Sequence, residues 1–163
     1  MARTSPSHIR TRLGNQFLPP TKQMKKYIIE PEVSGQIIGS HLNHETKPPL
    51  IEKLNYQFDD WLGDDIIAGF RCFICTDGLA KSIKKNSLSG YEFDQCTITK
   101  SELFHDLNEN GKDLPTFFWL KINGTSDDDF FITSNFTLVI SERALEILRQ
   151  FNIDHCTVEI YSA

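Results

Sequence analysis

The sequence predicts an α+β fold: a single domain with a mainly antiparallel or mixed sheet and about three short helices. Three observations lead there. Strand-like segments with apolar residues at alternate positions outnumber helix-like ones from residue 66 onward. The run Thr137-Leu138-Val139-Ile140 feeds directly into Ser141-Glu142-Arg143-Ala144-Leu145-Glu146-Ile147-Leu148, a strand followed by a capped helix, and a further strand at 156–161 closes the chain. No internal period emerges, and 163 residues suffice for one domain with its own core.

Each element follows from local chemistry. Lys26-Tyr27-Ile28-Ile29-Glu30 reads as the first strand, ended by Pro31. Residues 33–49 have a loop texture of glycine, histidine, asparagine and proline, and 50–54 suit a short helical turn or a strand. Residues 56–65 mix aromatics with paired acids, as expected of a partly exposed loop. Residues 66–75 read as one strand with a possible bulge at Gly69. Asp77 is placed to cap a helix over 78–86, with Leu79 and Ile83 on one face and Ser89-Gly90 as the break. Residues 91–99 alternate as a half-buried strand. Thr99 and Glu102 match a capping box, opening a helix expected to bury Leu103, Phe104 and Leu107 before Asn110-Gly111. Residues 116–122 form a strongly apolar strand, Asn123-Gly124 is a hairpin signal, and 129–133 are expected to return against it. Ser141 caps the last helix, and Asn152 suits a left-handed cap beyond it.

Charge divides the chain. Residues 1–23 hold Arg3, Arg10, Arg12 and Lys22 and no acid, so the overall −5 leaves −9 on the remainder. The first 23 residues, with prolines, serines and few large apolar groups, are expected to be a disordered basic extension, with the domain covering 24–163. They lack the apolar core of a secretory signal, and no segment is long and apolar enough to span a bilayer, so a cytoplasmic protein without membrane contact is expected. An acidic body disfavours nucleic acid, whose binding needs lysine and arginine against phosphate. It favours a basic protein partner.

Motifs for chemistry are sparse. Cys72-Phe73-Ile74-Cys75 has C-x-x-C spacing without a second pair, and residues three apart on a strand face opposite sides, so burial is expected rather than a metal site. His41-Leu42-Asn43-His44-Glu45 is not the H-E-x-x-H order of a helical zinc site. There is no G-x-S-x-G elbow, no phosphate loop and no dinucleotide fingerprint. No catalytic residue, metal ligand set or cofactor is therefore nominated, and the protein is not expected to be an enzyme. The acids carry the sharper reading. Asp59, Asp60, Asp64 and Asp65 surround Trp61, and Asp127, Asp128 and Asp129 precede Phe130-Phe131. Acid clusters around aromatic anchors suit a surface that fills a basic cleft, so these eight residues are the candidate partner contacts.

The segments Leu114-Pro115-Thr116-Phe117-Phe118-Trp119-Leu120, Asp129-Phe130 and Leu138 to Leu148, with its Ser-Glu-Arg turn, resemble immunity proteins encoded beside bacterial polymorphic toxins of contact-dependent inhibition and type VI secretion systems. The likeness spans about 90–161 and is weaker from Tyr27 through Gly78-Leu79-Ala80. It implies a cytoplasmic, non-catalytic protein that binds one cognate toxin and blocks its active site or substrate access. Two alternatives stand beside it: a hydrolase that reverses a toxin's modification through carboxylates and His41 or His44, and a general protein-binding module docking through the basic extension.

Overall fold

Alternating side chains in the middle of the chain face two different cores, and this builds the fold around one sheet. The computed structural model describes residues 24–46 and 50–162. Its strands begin with β1 (Lys26–Glu30), β2 (Glu32–Val33), β3 (Gly35–Ile37), β4 (His41–Asn43) and β5 (Leu50–Phe58). A hairpin of β6 (Ile66–Gly69) and β7 (Cys72–Thr76) leads into helix α1 (Asp77–Lys85). Then come β8 (Tyr91–Asp94), β9 (Cys96–Lys100), helix α2 (Glu102–Leu107), β10 (Phe117–Ile122) and β11 (Phe130–Ile132). The last elements are β12 (Leu138–Ser141), α3 (Glu142–Leu148) and β13 (Thr157–Ile160). The architecture is α+β in one domain, with sheets that, among the described residues, are antiparallel except for two parallel pairs.

The central sheet runs β2-β6-β7-β10-β8. On β6, Ile66 enters the first core and Ile67 the second; on β7, Cys75 enters the first while Cys72 and Ile74 enter the second. On β10, Leu120 faces the first core, and Phe117 and Trp119 face the second. A sheet covered on both faces must be apolar at successive positions, which is why these strands read as near-continuous hydrophobic runs. The first core is completed by α1, α3 and the sheet β11-β12-β1-β13, through residues such as Leu79, Ile83, Phe130, Ile140 and Leu148. The second is completed by α2 and the third sheet, in which β5 pairs with β3, β4 and β9, and contains Tyr56, Phe58 and Phe104. The opposed thiols of Cys72 and Cys75 are buried as expected, and burial pushes Cys72 up to about 12 and Cys75 higher still.

Several expectations are corrected. Tyr56 and Phe58 are not in an exposed loop but end the long strand β5, fully buried. Tyr56 donates its hydroxyl to the Ala68 carbonyl at 2.9 Å and accepts from the Ser34 amide at 3.1 Å, which allows a polar atom inside the core. Residues 33–46 form short strands rather than loop alone. The predicted strand 66–75 is a hairpin, turned at Phe70 and at Arg71, whose φ is 54°. Residues 91–99 divide between two sheets, β8 beside β10 and β9 beside β5. β11 pairs with β12, not with β10, and Asn123 and Gly124 instead donate their amides to the Gly90 carbonyl. The caps shift too: Thr76 rather than Asp77 caps α1, Ser101 rather than Thr99 caps α2, and Asn152 is not left-handed. Ser141 caps α3 as expected. The extension over 1–23 and the prolines at 48 and 49 lie outside the described residues.

Gly90 sits at φ 92°, and a Cβ there would stand 2.2 Å from the Phe130 carbonyl oxygen. Gly90→Ala should therefore lower unfolding free energy by at least about 1–2 kcal/mol, read as a reduced urea midpoint.

Candidate functional site

The two acidic clusters divide into carboxylates that hold the fold together and carboxylates that face solvent. Asp129 is buried immediately before β11. Its Oδ1 accepts from Ser141 Oγ at 2.6 Å, and its Oδ2 accepts from Arg143 Nη2 at 2.6 Å and from the Ser89 amide at 2.9 Å. Ser141 Oγ in turn accepts from the Ala144 amide at 3.1 Å, so one carboxylate joins the turn after α1, the β11 strand and the cap of α3. Burial would push the Asp129 carboxyl up. Hydrogen bonds from Arg143, Ser141 and the Ser89 backbone outweigh it and hold the group below the ordinary carboxylate range.

Asp64 is fully buried. Its Oδ2 accepts from the His155 amide at 2.8 Å, its Oδ1 lies 2.9 Å from His155 Nδ1, and its backbone carbonyl accepts from Trp61 Nε1 at 2.9 Å. The hydrogen bond to Asp64 raises the His155 imidazole above its usual value. Asp65 accepts from Thr76 Oγ1 at 2.7 Å and from the Asn152 amide at 2.8 Å, tying the same loop to α1 and to the segment after α3. Asp64 and Asp129 therefore cannot meet a partner from where they stand, and Asp65 is committed to internal bonds. For these three the contact assignment is corrected: burial of a carboxylate requires partners, and the chain supplies them itself. Asp128 is partly exposed and accepts the Thr125 amide within its own turn at 2.7 Å, a bond that lowers its pKa. Asp127 is exposed.

The cluster around Trp61 keeps a surface. Asp59 and Asp60 are half-buried. Asp60 accepts from Asn108 Nδ2 at 3.1 Å, which lowers its carboxyl pKa, and lies 3.6 Å from Lys112 Nζ. Lys112 also donates to the Trp61 carbonyl at 2.8 Å, and Trp61 sets its ring edge-on against Phe117 at 6.1 Å. These bonds join the 59–62 loop to the end of α2. Trp61 leans on the second core while Phe130 lies in the first, so the two acidic clusters are anchored on opposite faces of the central sheet.

Sequence reasoning missed α2 as part of this surface. Only Phe104 of its apolar residues is buried; Leu103 and Leu107 are 50% and 57% exposed, contrary to the expected burial of all three. The spacing carried no such signal, because Phe104 and Leu107 are i, i+3 neighbours and Leu103 and Leu107 are one turn apart; the hint lay in composition, with Glu102, Asp106 and Glu109 around the leucines in sequence. Leu62, in the loop tied to this helix, is 49% exposed. Residues 101–113 contain four carboxylates against Lys112. A second exposed apolar group differs: Arg71 lays its guanidinium over Phe136 at 4.2 Å and Phe70 at 5.2 Å, so the chain's own cation contacts those rings, which stay exposed.

Among the described residues, one group of three or more potential metal ligands comes together, Glu32, Asp64 and His155; His41 and His44 do not belong to it. Also among the described residues, no helix is long and apolar enough to cross a membrane. Fold and site thus define an α+β protein with an acidic, leucine-bearing face. Comparison of the chain with protein-family models finds no match, and comparison with curated proteins finds none either.

Asp129→Asn should cost about 1–3 kcal/mol, less than breaking a fully buried pair because Arg143 is half exposed. The sign with pH follows from the lowered carboxyl. Its contribution is complete above the unfolded value of about 3.9 and is lost as pH falls through the lower folded value. Urea titrations should show a constant gap between wild type and Asp129→Asn near neutral pH that narrows below about pH 4.

Proposed function

We propose that this protein binds one basic protein partner through the surface formed by α2 and the 59–62 loop, as a cytoplasmic immunity protein that blocks a cognate secreted bacterial toxin. The observation that carries the reading is the exposure of Leu103 and Leu107 on one helix face among Glu102, Asp106 and Glu109. Exposing two leucines on so short a helix has a cost in water that a partner's apolar surface removes. The carboxylates around them favour a partner whose rim is basic and speed its approach. Trp61, Asp59 and Asp60 extend the same face, and the net charge of −9 over residues 24–163 acts in the same direction at longer range. The likeness of residues 90–161 to toxin immunity proteins supplies the kind of partner: a toxin domain whose active site lies in a basic groove. In this reading the protein acts by covering that groove and makes or breaks no bond.

The test uses the purified toxin domain encoded beside this protein's gene. Protection should saturate at one molecule per toxin. Leu103→Asp with Leu107→Asp should weaken binding about 100-fold while leaving the circular dichroism spectrum unchanged. Asp106→Lys with Glu109→Lys should slow association at low salt, with the difference shrinking at high salt. Full protection at a small fraction of one equivalent would contradict occlusion and favour a hydrolase acting on the toxin's product.

A further inference from the structure

The Glu32, Asp64 and His155 side chains come from three distant parts of the chain: β2, the loop before β6, and the link between α3 and β13. Parallel pairing of Glu32 with Ile67 brings β2 alongside the start of β6, three residues beyond Asp64. The last link is held there by the His155 amide bond to Asp64 Oδ2, by the Asp65 amide donating to the Asn152 carbonyl, and by the Asn152 amide donating to the Asp65 carboxylate. One ligand-type atom from each of the three side chains lies within 4.8 Å of the other two. Glu32 Oε2 is shielded from solvent, yet it has no hydrogen-bond partner. A carboxylate oxygen so placed, beside a second, fully buried carboxylate, calls for a cation, and His155 answers only part of that demand.

We propose that Glu32, Asp64 and His155 form a binding site for one divalent transition-metal ion of the Zn²⁺ type. Two carboxylates and an imidazole are a donor set for zinc, whereas magnesium and calcium favour oxygen alone. Ligands about 2.0–2.2 Å from a tetrahedral zinc stand about 3.4 Å apart. The 2.9 Å between His155 Nδ1 and Asp64 Oδ1 is slightly below that, and the 4.8 Å limit on the set is above it. Binding would therefore require the His155 and Glu32 side chains to shift until all three atoms stand at that separation. The imidazole is exposed, so an ion can arrive from solvent and keep water in its fourth position. Asp64 is oriented in part already, because its Oδ2 is fixed by the His155 amide; its Oδ1 is hydrogen-bonded to His155 Nδ1, and the ion would take the place of that shared hydrogen, releasing it as a proton. The ion would clamp β2, the 59–65 loop and the approach to β13 to one another, a structural rather than catalytic use. This site does not depend on the identity of the protein partner.

The experiment is calorimetric titration of the full metal-free chain with Zn²⁺, paired with thermal melts, on wild type, His155→Gln and Glu32→Gln. Both substitutions are at positions that are not fully buried, so folding should survive. The expected result is one ion per chain, a raised Tm in wild type, and a loss of about tenfold or more in affinity in each variant. Zinc binding that is unchanged in either variant would place the ion on other histidines or cysteines and overturn the assignment. So would wild-type binding weaker than about 0.1 mM. Equal binding of Mg²⁺ would overturn the choice of a transition metal.

Discussion

A sheet buried on both faces dictates most of this molecule. Because β6, β7 and β10 present residues to two cores at once, each core needs its own cover: α1, α3 and one outer sheet on one side, α2 and another outer sheet on the other. The second cover is thin. α2 has six residues and contributes a single buried side chain, Phe104. A helix that needs only one side chain to close a core has its remaining positions free, and here two of them are leucines facing water. The constraint that organises the interior thus also leaves the surface on which the functional proposal rests.

Carboxylates serve two purposes in this chain. Asp129, Asp64 and Asp65 act as cross-links, each accepting bonds from segments far away in sequence. Their value is geometric: a buried carboxylate with several donors admits few arrangements of the segments that supply them. The Asp-Phe and Ser-Glu-Arg motifs thereby acquire a structural explanation. Asp129, Ser141 and Arg143 are spaced to meet across the β11–β12 hairpin and to close the cap of α3 in the same act. A likeness founded on these residues speaks first to fold. Among the described residues, the acids around Leu103 and Leu107 make no comparable set of internal bonds.

The fold class, the β12–α3 unit with its Ser141 cap and the opposed burial of Cys72 and Cys75 were legible in the sequence, because each rests on local spacing. What was not legible depended on long-range pairing. The hairpin at Phe70 and Arg71 carries no glycine or asparagine at its left-handed position, so residues 66–75 read as continuous. Tyr56 and Phe58 looked exposed because acids follow them, yet β9 pairs in parallel with β5 and seals them inside. Of the candidate site, Asp59, Asp60 and Trp61 remain on the surface proposed to bind, while Asp64, Asp65 and Asp129 turned inward. Sequence separation hides such commitments: the donors to Asp64 lie at residue 155, those to Asp65 at 76 and 152, and those to Asp129 near 89 and 143.

The central claim is that one acidic, leucine-bearing face does the binding while the other acidic cluster maintains the fold. Hydrogen–deuterium exchange on the protein, free and mixed with a basic toxin domain of the kind proposed as its partner, tests this most directly. The account predicts new protection in residues 59–62 and 102–109, with 125–129 unchanged. Protection confined to 125–129, with α2 exchanging as in the free protein, would contradict it.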